Sequence, residues 1–91
     1  VADYEPPEGL IAAQRAYYEA DAAVQEVTAS LPSGIAIAAG EAAITPEQRA
    51  ALDAARAERG RLVDALYAHP WFETVDDPHA ARMELQRRAR G

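Results

Sequence analysis

Apolar residues return every seven positions along the first third of the chain, at Leu10, Tyr17, Val24 and Leu31. Ala13, Ala20 and Val27 fall three places after the first three of these. Alternating steps of three and four place both sets on one stripe of an α-helix, because about 3.6 residues complete a turn. The stripe has the form of an a/d-like seam and must be buried against another helix. Glu19, Gln25 and Glu26 lie off the seam, as a solvated face requires. The pattern predicts a helix over about 7–30, entered at Pro7 and stopped by Pro32-Ser33-Gly34.

A second helix is announced by its own start. Thr45-Pro46-Glu47-Gln48 offers an N-cap Thr, a Pro at the first helical position and a Gln three residues after the cap. This is a capping box with the favoured proline placement. Ile44 precedes the cap and Leu52 lies near the staple position. The helix continues through Leu52, Ala55, Leu62, Val63, Leu66 and Tyr67, to about residue 68. His69-Pro70 ends it, because a residue before proline avoids the helical region. Gly60 sits inside, where it costs ~1 kcal/mol against Ala, and it would allow close helix approach. Asp77-Pro78 repeats the cap-then-proline signal and predicts a short helix over about 78–88, with Ala81, Leu85 and Met83 inward.

The fold class is therefore all-α: an antiparallel helical hairpin closed at its open end by a C-terminal helix. With 91 residues it is a single domain, carrying an extended N-terminal arm (1–6) and an apolar interhelical loop (32–44). A turn centred near Ala38 makes facing residue numbers sum to roughly 76. Val24 then meets Leu52, and Leu10 meets Leu66. Tyr17 approaches Arg59, whose charge would be held by Tyr17 as a cation–π partner or by Asp21 as an ion pair. Tyr4, Tyr17, Tyr18, Tyr67, Trp71 and Phe72 gather at the open end, where the third helix covers Trp71 and Phe72.

Composition narrows the chemistry. There is no cysteine, hence no disulfide framework, zinc-thiolate site or thiol nucleophile. Lysine and asparagine are also absent, and alanine dominates. The bias is that of a high-GC bacterial coding sequence, as in actinobacteria, and it favours helix throughout. The net charge of −6 opposes a general nucleic-acid coat. No apolar run approaches the length of a membrane span. The start lacks the basic-then-apolar order of a signal peptide, so the expected location is cytoplasmic. The missing initiator Met points to a processed or engineered start. Length and hairpin pattern resemble small helical secretion substrates of actinobacteria. Their Trp-x-Gly turn is absent, since Phe72 and Glu73 follow Trp71, and nothing is carried over from them.

Three stretches are candidates for function. The loop places Ile35, Ile37 and Ile44 among alanines where a connector is normally polar. They either dock into a partner or second copy, or fold back as a lid on the hairpin core. The alternating Ile-Ala-Ile-Ala run also has the pattern of a short strand that would pair across a dimer.

The stretch from His69 to His79 holds both histidines beside Glu73, Asp76 and Asp77. Pro70 and Pro78 interrupt it, so no metal-ligand or His–Asp spacing is fixed on one face. Asp77 serves as a helix cap, Asp76 and Glu73 suit the positive end of that helix, and Trp71 and Phe72 act as core or interface anchors. Arg82, Arg87, Arg88 and Arg90 form a basic C-terminal cluster on an acidic chain. It would contact nucleic-acid phosphate or an acidic partner, or else merely stabilise the helix C-terminus. There is no Gly-rich phosphate loop and no Ser/His/Asp constellation.

These readings lead to a non-enzymatic protein–protein interaction module. It is expected to self-associate, as a homodimer or with another helical protein, through the hairpin face and the apolar loop. The alternative is a small regulatory factor that contacts nucleic acid through the Arg cluster. No cofactor, metal or membrane is expected.

Overall fold

The computed structural model describes residues 4–91 and contains helices and turns only among them. The elements are α1 (Glu8–Ala29), α2 (Gly34–Ala38), α3 (Pro46–Tyr67), a 3-10 turn (Pro70–Thr74) and α4 (Pro78–Arg90). The expected hairpin and C-terminal helix are therefore present, with their ends shifted by two residues or fewer. Of the N-terminal arm, residues 1–3 lie outside the described residues. Tyr4 to Pro7 are non-helical, with Pro6 buried.

Each boundary has a local cause. Pro7 opens α1 without a side-chain cap, its carbonyl taking the amides of Leu10 and Ile11. At α3 the capping box is complete. Thr45 Oγ1 accepts from the Gln48 amide at 3.0 Å, and Gln48 Oε1 accepts from the Thr45 amide at 2.9 Å. Asp77 Oδ1 accepts from the Ala80 amide at 3.1 Å and starts α4. His69 Nδ1 accepts from the Trp71 amide at 3.1 Å, which starts the 3-10 turn after Pro70 has ended α3.

α1 packs along α3, α4 packs on α1, and the 3-10 turn packs on α4. Leu10, Leu66 and Leu85 form the core where the three helices meet, with Ile11, Ala13, Tyr17, Trp71 and Phe72 around them. The Leu10–Leu66 pairing is the one expected from the register. Farther along, Ala20, Val24 and Leu52 are buried between α1 and α3. Arg59 takes the carboxylate rather than the ring: its Nη1 donates to Asp21 Oδ1 at 2.9 Å. Tyr17 instead turns toward Tyr18, their ring centres 5.9 Å apart. Gly60 does not mediate a close approach, because a Cβ built there meets nothing within 4 Å.

The direction of α4 follows from its end contacts. Tyr4 Oη donates to Asp76 Oδ1 at 2.9 Å just before α4 begins, a bond that raises the Tyr4 pKa above its usual 10.0. At the other end, Arg15 Nε donates to the Ala89 carbonyl at 3.2 Å, and the Arg90 guanidinium lies 5.7 Å from the Tyr18 ring centre. So α4 runs parallel to α1 and stops beside Tyr18. Beyond that point the rod is only two helices thick. The molecule measures 57 × 20 × 20 Å, with a radius of gyration of 17.6 Å. A compact domain of this length would have about 12 Å.

Candidate functional site

The tip of the hairpin is an ordered turn of helix. Ser33 Oγ accepts from the Ala36 amide at 3.1 Å and caps the start of α2. At the other end Gly40 takes a φ of +75°, a conformation natural to glycine. The Gly40 amide donates to the Ile37 carbonyl at 3.1 Å, and the Glu41 amide to the Ala36 carbonyl at 2.9 Å. These two bonds form a Schellman motif. The strand reading of Ile35-Ala36-Ile37-Ala38 is therefore corrected: a Ser cap and a left-handed Gly outweigh the alternation of apolar side chains.

Capping also fixes where the isoleucines sit. Ile35 is 86% exposed and Ile37 37% exposed, while Ile44 is half-buried just before α3. Ile44 is thus partly covered by its own chain, whereas Ile35 stands almost fully in solvent.

At the opposite end, Trp71 and Phe72 are half-buried against the Leu10–Leu66–Leu85 core. Their rings meet edge to face, 5.2 Å apart. That is the anchoring role, directed at the chain's own core. His69, Asp76 and Asp77 are each engaged as a cap or hydrogen-bond acceptor, as given above. Among the described residues no three His, Cys, Asp or Glu side chains are grouped so as to hold a metal ion.

The arginine cluster does not form one basic face free for phosphate. Arg87 and Arg88 both pair with Glu84, through Nε donors at 3.0 and 2.9 Å. Those hydrogen bonds, Arg87's first and Arg88's second, hold the Glu84 carboxyl at a pKa of about 2 instead of 4.5. Arg90 lies over Tyr18. Arg82 lies over two rings, 4.6 Å from the centre of Tyr67 and 5.4 Å from that of Phe72. It has no carboxylate partner and no hydrogen bond among the described residues.

One feature escaped the sequence reading. A crevice of about 100 Å³ opens between α3 and α4, floored by α1, with Gln14, Tyr17, Leu66, Tyr67, Phe72 and Arg82 among its walls. Gln14 is 5% exposed. Its only signal in the sequence is its place four residues after Leu10, on the apolar side of a helix where an amide is out of pattern.

Among the described residues, no helix is long and apolar enough to cross a membrane. No curated protein and no solved structure matches the chain. One family model, described as a domain of unknown function (DUF8825), does match, and it covers residues 9–88, from the first turn of α1 almost to the end of α4. The chain belongs to the DUF8825 family.

Proposed function

We propose that this protein is a non-enzymatic interaction module that self-associates through the tip and the two-helix half of its hairpin. The observation that carries the reading is Ile35, 86% exposed on a turn that is capped at both ends. A bare isoleucine on a floppy loop would lose ordering entropy on docking. One on a preformed turn has already lost it.

Shape supports the same reading. The half of the hairpin that α4 does not reach is the half that ends in Ile35. The chain exposes 6154 Å², against about 5,200 Å² for a folded monomer of its mass. The difference is close to the ~800 Å² that each partner contributes to a standard interface. A second copy, related by a two-fold axis, would present the same exposed surface in return and close the assembly. Nucleic-acid binding has weaker support, since Arg87 and Arg88 are held by Glu84.

Light scattering behind size exclusion tests this over a hundredfold range of protein concentration. Wild type should run as a dimer that dissociates on dilution. Ile35→Ser/Ile37→Ser should run as a monomer with unchanged helicity by circular dichroism. A wild type that stays monomeric throughout refutes self-association. A double mutant that dimerises as well as wild type removes the tip from the interface.

A further inference from the structure

The crevice between α3 and α4 combines features that a core gap does not need. Its walls are apolar at Val63 and Leu66 of α3 and Leu85 of α4. Aromatic rings of Tyr17, Tyr67 and Phe72 stand around it. Gln14 is 5% exposed, and what remains accessible of it faces the crevice that it lines. An enclosed amide that opens on a crevice keeps its donors and its acceptor for whatever enters.

At the rim, the Arg82 guanidinium lies over the Tyr67 and Phe72 rings. A cation–π contact takes up none of the guanidinium N–H donors, which are left for a ligand. The other two arginines on the same helix that flank Glu84's carboxylate are occupied by it. Arg82 is not.

From these features we infer that the crevice binds a small carboxylate with a flat apolar body. The ring would enter between the Tyr17, Tyr67 and Phe72 side chains, and the carboxylate would accept from Arg82. The Gln14 amide would bond whatever polar substituent reaches the floor. Size agrees with a single ring. A closed cavity of about 150 Å³ takes up benzene, and this one, at about 100 Å³, is open on one side, so the charged group stays at the rim. The inference is independent of self-association, because the crevice and the tip lie at opposite ends of the rod.

Phenylacetate is the probe, titrated into the full chain and followed by two-dimensional NMR. The resonances read are the Gln14 side-chain amide and the Arg82 Nε–H. Both should shift and saturate together. Phenylacetamide has nearly the same shape without the charge and should bind at least tenfold more weakly. Arg82→Ala should weaken phenylacetate at least tenfold, whereas Arg49→Ala, on the distant part of α3, should not change it. If Arg82→Ala does not fold, Arg82→Gln keeps the length and removes the charge, with the same tenfold loss expected. Shifts that rise linearly without saturating overturn the inference. So does equal binding of phenylacetamide, or binding indifferent to both Arg82 variants.

Discussion

Replacing Gln14 with methionine should make this protein more stable. Gln14 sits at 5% exposure, lining the crevice beside Leu66 and Leu85, so its amide keeps only a remnant of its hydration. A polar group wholly buried without a hydrogen bond costs about 1–3 kcal/mol, and one that still opens on a crevice costs less. Methionine has the same unbranched length and adapts to irregular gaps, so it should fill the space without overpacking. The expected gain is therefore about 1 kcal/mol. In a domain of this size each kcal/mol moves the Tm by roughly 4–8 °C.

Urea denaturation is the assay, with the midpoint and the slope fitted separately. The midpoint should rise at constant slope, since a changed slope would mean altered compactness rather than stability. Association adds its own stabilisation by mass action, so the comparison is repeated in the Ile35→Ser/Ile37→Ser background. A loss of stability, or no change, would refute the reasoning. It would mean that the amide is satisfied in solution and that the cavity is wet by construction. A variant that is more stable yet no longer shifts with phenylacetate would show a polar group retained for binding at the expense of the fold.

Other substitutions probe the helices themselves. Leu52 is 4% exposed between α1 and α3; Leu52→Asp puts an unpaired charge there and should cost about 4 kcal/mol or more, enough to abolish the helical signal at room temperature, so full retained helicity would refute the hairpin packing. Gly60 lies inside α3 with open space around its missing Cβ; Gly60→Ala should raise stability by about 0.5–1 kcal/mol, and a lower melting temperature would reveal a contact at that position. Glu84 has its folded pKa depressed to about 2 from 4.5, so its pairing contributes fully above the unfolded value and is lost as pH falls toward 2. The gap in Tm between wild type and Glu84→Gln should accordingly be constant above about pH 5 and close by about pH 2; a gap that persists in acid would refute the assignment.

Features encoded within a few residues of one another were legible in the sequence. Thr45-Pro46 and Asp77-Pro78 mark helix starts because the cap and the proline act on the nearest amides. The seven-residue recurrence from Leu10 marks the buried stripe, and a turn centred near Ala38 sets the register well enough to pair Leu10 with Leu66. The tip was misread although its signals were present. Ser33 and Gly40 bracket a turn of helix, but the Ile-Ala alternation between them carries the period of a strand. Gln14 is illegible for a different reason. On a lone hairpin an amide at that position would reach water, and it is buried only because α4 arrives from the far end of the chain. The contacts of Arg82 with Tyr67 and Phe72 likewise depend on how α4 is placed against α3, which no local pattern specifies.

The early end of α4 also divides the rod by resistance to opening. The end that holds Leu10, Leu66, Leu85 and the aromatic rings is three helices thick. The distal half has only Ala20, Val24 and Leu52 buried between two helices. Cooperative units with fewer buried contacts open at lower free energy than the whole molecule. Amide hydrogens of residues 20–29 and 46–56 should therefore exchange sooner than those of 8–18 and 60–67. A partner that seats itself over the tip would slow exchange throughout that distal half, making it a latch that tightens on engagement while the aromatic end stays as it was.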